Sequence, residues 1–143
     1  MLLFDVNVFV YAHREDASRH KACRDLLERI INSEYSFGFS DIISSAFLRV
    51  VTHPNVFNPP SPLEKALTFI NKIRERPNAT LISPGPRHWD IFTSLCRKSD
   101  VKGNLIPDAY LAALAIESGC TWVSTDRDFS RFPRLDWKHP QEI

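Results

Sequence analysis

The residues best placed to do chemistry are Asp5, Asp41, Asp108, Asp126 and Asp128, each of which stands where an apolar run stops or a helix begins. Asp5 follows Leu2-Leu3-Phe4, Asp41 lies just past the stretch from Tyr35 to Phe39, Asp108 comes directly after Pro107, and Asp126 and Asp128 follow Thr121 to Ser124. A carboxylate at the end of a buried strand faces whatever crevice lies beyond the sheet. Several carboxylates facing one crevice repel one another and raise some of their pKa values, and a divalent cation relieves that repulsion. Hard oxygen donors with no His or Cys cluster beside them favour Mg²⁺, with Mn²⁺ able to substitute, over zinc. Such an ion lowers the pKa of a bound water and stabilises charge on a phosphodiester. His13, His20, His53, His88 and His139 show no HxxxH or HExxH spacing that would offer a histidine alternative.

Each aspartate also has an ordinary structural use. Asp5 and Asp41 can cap helices, Asp108 can meet a helix dipole, and Asp126 and Asp128 can be turn residues or join Arg127 and Arg131 in a solvated charge cluster. The metal reading rests on the pattern of all of them at strand ends, not on any one.

The elements that must position these residues alternate. Leu2 to Phe4 reads as a buried strand, and Ser18 to Asn32 as an amphipathic helix with Ala22, Leu26, Leu27, Ile30 and Ile31 on one face. Tyr35 to Phe39 reads as a second strand, with Ser40 at the N-cap of a helix from Ile42 to Val51. Pro59, Pro60 and Pro62 mark a loop before a helix from Leu63 to about Arg76, and Ala79 to Ile82 is a third strand. A helix near Trp89 to Lys98 and another from Pro107 to Glu117, capped by Gly119, precede a strand from Thr121 to Ser124 and a short closing stretch near Trp137. This alternation predicts a three-layer α/β/α domain with a central, mainly parallel sheet and right-handed crossovers.

Length and composition set further bounds. A chain of 143 residues, 43% hydrophobic, fits one domain over residues 1–143 with one core. Its 18 basic and 17 acidic residues give a net charge of +1, so no global field draws in nucleic acid and any such partner must be held locally. Cys23, Cys96 and Cys120 are an odd, widely spaced set with no CxxC pair, which indicates neither a disulfide framework nor zinc and suits a reducing cytoplasm. Asp5 and Asn7 interrupt the apolar opening from Leu2 to Ala12, so it is not read as a leader peptide, and no stretch approaches the roughly 20 apolar residues of a membrane span.

The chain resembles the PIN-domain ribonucleases, in particular VapC-type toxins of bacterial toxin–antitoxin pairs. The resemblance is carried, in order, by Leu3-Phe4-Asp5-Val6-Asn7, by Phe47-Leu48-Arg49-Val50-Val51-Thr52-His53-Pro54, by Ile106-Pro107-Asp108-Ala109 with Leu111 to Ala115, and by Ser124-Thr125-Asp126-Arg127-Asp128-Phe129. It implies a Mg²⁺-dependent endoribonuclease in which Asp5, Asp108 and Asp126 hold the ion, Asp128 beside them supports those ligands or binds a second ion, and Asn7 and Thr125 orient ligands and water. In-line attack by metal-activated water would leave a 5′-phosphate and a 3′-hydroxyl. Further implications are an RNA substrate such as tRNA or rRNA, a homodimer, and a cognate VapB-type antitoxin that covers the crevice. One position departs from the family pattern: where a Glu usually precedes the arginine matched by Arg49, this chain has Ala46. Asp41 is the nearest replacement, but along a helix it lies about 7.5 Å and roughly 140° away from Ala46, so it could reach the crevice only from the end of the second strand. The missing Glu keeps a catalytically weak or inactive PIN-like RNA- or protein-binding module in view, and the strand-end Asp5 a phospho-accepting α/β domain, although Asp5-Val6-Asn7 lacks the second aspartate of a DxD pair. Arg14, Arg49, Lys98, Lys102, Arg127 and Arg131 are candidate phosphate contacts and His88 or Trp89 a candidate base-stacking residue, with surface charge and core packing as their ordinary roles.

Overall fold

The computed structural model describes residues 1–143. The elements run β1 (Leu2–Phe4), α1 (Val6–His13), α2 (His20–Ile31), β2 (Phe37–Phe39), α3 (Asp41–Val51), α4 (Leu63–Arg74), β3 (Ala79–Leu81), α5 (His88–Lys98), α6 (Leu105–Ser118), β4 (Thr121–Val123) and β5 (Trp137–Lys138), with 3₁₀ turns at Arg127–Arg131 and Pro140–Glu142. The five strands form one sheet in the order β3-β2-β1-β4-β5, and every neighbouring pair is parallel. From β1 the chain steps outward through β2 to β3, then returns to the other side of β1 for β4 and β5. With right-handed crossovers, the reversal places α1 to α4 on one face of the sheet and α5 with α6 on the other. The helix contacts divide the same way: α1 packs on α2, α3 and α4, while α5 packs on α6. The expected three-layer α/β/α architecture with a parallel sheet is what the chain adopts.

The strands are short and the core is supplied largely from both sides of them. Leu3, Phe4, Phe37, Trp122 and Val123 are fully buried, and Phe4 packs edge-on to Phe9 of α1 with ring centroids 6.0 Å apart. On the opposite face α6 buries Ala109, Ala112, Ala113, Leu114 and Ala115, small side chains that let this helix lie close to the sheet. Gly119 ends α6 in the left-handed conformation at φ 67°, as its position predicts.

Two elements differ from the sequence reading. Val6–His13 is a helix where none was expected, because Val6, Val8 and Val10 alternate with other residues like a strand, and burial of Val8, Phe9, Val10 and Ala12 leaves no polar face to mark a helical period. Ser40 is the residue before α3 but makes no side-chain cap; instead the Ser44 hydroxyl donates to the Ser40 carbonyl at 2.9 Å. At the far end of α1 the loop before α4 is tied down, with Ser61 Oγ 2.9 Å from His13 Nε2 and accepting from Arg14 Nη1 at 3.1 Å.

Gly38, in the middle of β2, has no room for a side chain. A Cβ there would stand 2.8 Å from Ile82 Cγ1 and 3.2 Å from Leu3 Cδ1. Gly38→Val is therefore expected to destabilise the fold by about 2–3 kcal/mol through overpacking. The measurement is a urea midpoint that falls with an unchanged m-value; a midpoint equal to wild type would show that this part of the sheet is looser than described.

Candidate active site

A parallel sheet that reverses direction beside its central strand opens a crevice at the carboxyl ends of the two strands flanking the reversal. Here those strands are β1 and β4, and the residues that follow them are stitched together. Asp5 continues the ladder, its N–H donating to the Val123 carbonyl at 2.9 Å, and its carboxylate caps α1 by accepting from Val6 N at 2.7 Å. Asp5 Oδ2 also accepts from the Ser124 hydroxyl at 2.6 Å and from Asn7 Nδ2 at 3.0 Å. Ser124 Oγ in turn accepts from Asn7 Nδ2 and from Asp126 N, both at 3.0 Å, so its one proton and both lone pairs are used. Thr125 N donates to Asn7 Oδ1 at 3.3 Å. The network fixes Asp5 rigidly and joins the start of the chain to the segment leading to Asp126.

The electrostatics of this corner are one-sided. Asp5 is only 4% exposed, and its pKa is pushed up from 3.8 to about 6 by burial, against the lowering effect of the Ser124 and Val6 hydrogen bonds; the charges of Asp108 and Asp126 raise it further. Asp108, in the first turn of α6, is half-buried and accepts no hydrogen bond from the protein. Burial raises its pKa first, then the charges of Asp126 and Asp128, with Arg131 opposing. Asp126 caps the 3₁₀ turn by accepting from Asp128 N at 2.9 Å. No Lys or Arg forms an ion pair with Asp5, Asp108 or Asp126. Charges from three separate segments thus raise the proton affinity of Asp5 and Asp108 with no paired base. That donor set, all oxygen, suits a hard divalent ion. No three His, Cys, Asp or Glu side chains are grouped to grip an ion as they stand. Mg²⁺ fits such an open arrangement, since it keeps several of its waters and binds through one or two carboxylates.

The other candidates separate. Asp41 is not drawn into the cluster: its side chain, 72% exposed, pairs with Arg74 at 2.8 Å, and Arg74 is itself held by Ser44 Oγ at 3.0 Å and by the Phe39 ring at 4.5 Å. The physical reason is that β2 lies one strand away from the reversal, and α4 supplies a cation that claims the carboxylate first. Asp128 is exposed and faces Arg131, with Oδ1 to Nη2 at 3.6 Å. Trp89, read from the sequence as a packing residue, is 65% exposed, while His88 is buried with Nε2 donating to the Tyr110 carbonyl at 3.0 Å. Ser124 is the member the sequence reading gave no functional role; its signals were its place at the head of the run Ser124 to Phe129 and as a small polar residue closing the apolar run Thr121 to Val123.

Comparisons with known proteins converge. A PIN domain family model matches residues 2–135. Ribonuclease VapC43 of Mycobacterium tuberculosis is 45% identical over 140 residues, covering 98% of this chain and 95% of that protein. Ribonuclease VapC25 of the same species is 40% identical over 132 residues, covering 92% and 93%. Among solved structures, VapBC2 from Rickettsia felis bound to a promoter DNA fragment aligns with a TM-score of 0.72 at 18% identity, over 96% of this chain and 97% of that one, a likeness of fold.

The raised Asp5 pKa makes a prediction about the metal-free protein. A carboxyl bound to its proton more tightly when folded favours folding fully below about pH 3.8, and that contribution is lost as pH rises through about 6. The whole difference corresponds to roughly 3 kcal/mol, of which about 1–2 kcal/mol falls between pH 5 and pH 7.5. Urea unfolding in EDTA should therefore show wild type losing that much relative to Asp5→Asn over this range. Parallel pH profiles for the two proteins would mean that the Asp5 carboxylate is not strained by its burial.

Proposed function

The chain belongs to the PIN-domain family, and from that premise we propose that it is a divalent-metal-dependent endoribonuclease serving as the toxin of a VapBC-type toxin–antitoxin pair. The observation that supports this reading is that the charges of Asp108 and Asp126 raise the Asp5 pKa, and that of Asp126 the Asp108 pKa, with no cation paired to any of the three, at the reversal point of a parallel sheet. Near-full-length likeness to proteins named as VapC ribonucleases supports the activity, and the VapBC2 structure supports a VapB-type antitoxin as partner. A homodimer and an RNA substrate such as tRNA or rRNA belong to the same proposal.

Asp5, Asp108 and Asp126 would hold Mg²⁺, with Mn²⁺ as a substitute. Bound there, the ion would supply an acidified water and charge stabilisation on the scissile phosphodiester, giving 5′-phosphate and 3′-hydroxyl ends. The protein's own share is positional. Asp5 is locked by Val6, Asn7 and Ser124, so one ligand is in place before anything binds. Asp108, free of hydrogen bonds, and Asp126, tied only through Oδ1, retain the freedom to turn toward a common point. A phospho-accepting role for Asp5 is disfavoured by the same facts, because a carboxylate that is 4% exposed and already accepts from Val6, Asn7 and Ser124 is not presented to a phosphodonor.

Two measurements test the proposal. Asp5→Asn and Asp108→Asn should each lower Mn²⁺-dependent cleavage of single-stranded RNA by about 100-fold or more, the scale set by removing one electrostatic contact to a transition state. Full activity in either variant would count against the metal-nuclease reading, and RNA binding without cleavage by wild type would point to a binding module. Independently, Mg²⁺ or Mn²⁺ at about ten times its dissociation constant should stabilise the wild type by about 1.4 kcal/mol, a rise of a few degrees in melting temperature that Asp5→Asn lacks. An unchanged melt at millimolar ion would argue that no site forms.

A further inference from the structure

Even with one divalent ion in place, a site made of Asp5, Asp108 and Asp126 stays negative, and a phosphodiester that approaches it is repelled unless the protein supplies a cation. The chain as a whole offers no such field at net charge +1. Among the cations singled out from the sequence, Arg14 is engaged by both oxygens of Asp16, at 2.9 and 2.7 Å, and stacked over Phe57 at 4.3 Å. Arg127 acts on His139. Arg131 is carried by the 3₁₀ turn that Asp126 caps, its charge opposes the raised pKa of Asp108, and its placement is built. The 3₁₀ turn that carries it is anchored by Phe129, buried against Trp122 with centroids 5.2 Å apart. Arg131 Nε donates to the Asp128 carbonyl at 3.1 Å, and Nη2 lies 3.6 Å from Asp128 Oδ1. Nη1 has no partner in the protein, and the side chain is 37% exposed, so one edge of the guanidinium fork is open to solvent.

We infer that Arg131 is the phosphate-binding residue of this site and that Asp128 acts through it, holding the guanidinium beside Asp108 instead of ligating an ion. The inference rests on the nuclease reading above. It follows from what each group can do: a planar fork with a free edge matches two phosphate oxygens, and a carboxylate turned toward an arginine is poorly placed to serve a metal as well. Asp128 is then a positioning residue: its contacts hold Nε and Nη2 of Arg131 and leave Nη1 for the phosphate.

The test uses the full chain, a fluorescein-labelled single-stranded RNA of mixed sequence, and Mn²⁺. Arg131→Ala should lower kcat/KM by about 10- to 100-fold, the loss of a charged hydrogen bond, and mainly through KM. It should also reduce the slope of log affinity against log salt by about 0.7, the share of one phosphate contact. Arg131→Lys should recover part of the affinity, since it keeps the charge without the fork. By calorimetry, Mn²⁺ affinity in Arg131→Ala and Asp128→Asn should stay within about three-fold of wild type, while Asp5→Asn loses it. Thermal melts that match wild type confirm that the variants are folded. Wild-type kcat, KM and salt slope in Arg131→Ala, with cleavage intact, would overturn the assignment of Arg131 alone, and Mn²⁺ binding lost in Asp128→Asn as in Asp5→Asn would restore Asp128 to the ligands. A wild-type protein that binds Mn²⁺ but neither binds nor cleaves RNA would remove the nuclease reading and this inference together.

Discussion

The acidic corner is organised around one buried carboxylate. Asp5 sits at the end of the central strand, almost completely withdrawn from water, and is kept there by the Val6 amide, the Asn7 amide and the Ser124 hydroxyl. An ionised group in such a place is costly unless its hydrogen bonds are made and a positive charge is near. The first condition is met by the protein. The second is not, and the pKa of about 6 measures how far the hydrogen bonds fall short. The imbalance is local, since acidic and basic residues nearly cancel over the whole chain.

The fold converts that imbalance into a site. Reversal of strand order beside β1 brings the residues after β4 against those after β1, and α6 carries Asp108 to the same corner from the other face of the sheet. The three acidic groups come from elements with independent reasons to be where they are: a central strand with both neighbours paired, a buried alanine-rich helix, and a turn pinned by an aromatic pair. Asp5 and Asp126 cap the elements that follow them, but the burial that holds each element in place comes from apolar side chains. Stability and chemistry are therefore separable here, and the site is supported by packing that does not involve it.

Much of this was legible in the sequence, for reasons that can be named. Leu2 to Phe4 and Thr121 to Val123 are short apolar runs ending in polar residues, which marks both the strands and the end of each that faces the crevice. Gly119 marks the stop of α6. What was not legible depended on tertiary context. The helix Val6–His13 is buried nearly all round, so periodicity had nothing to report. Asp41 looked like a strand-end carboxylate, but no local pattern shows that Arg74 reaches it from α4. Ser124 reads as an ordinary small residue until Asp5 and Asn7 are seen to need its hydroxyl, and Trp89 has helical spacing with Phe92 yet points outward.

The Ser124 to Asp5 hydrogen bond spans almost the whole chain, and this has a consequence for biosynthesis. The central strand is made first, but its partner β4 and the turn beyond it are made nearly last. Pairings so distant in sequence form slowly, and during translation they cannot form until the later segment has left the ribosome. The acidic corner can therefore assemble only late in synthesis, because a nascent or prematurely terminated chain that stops before β4 lacks both Ser124 and Asp126.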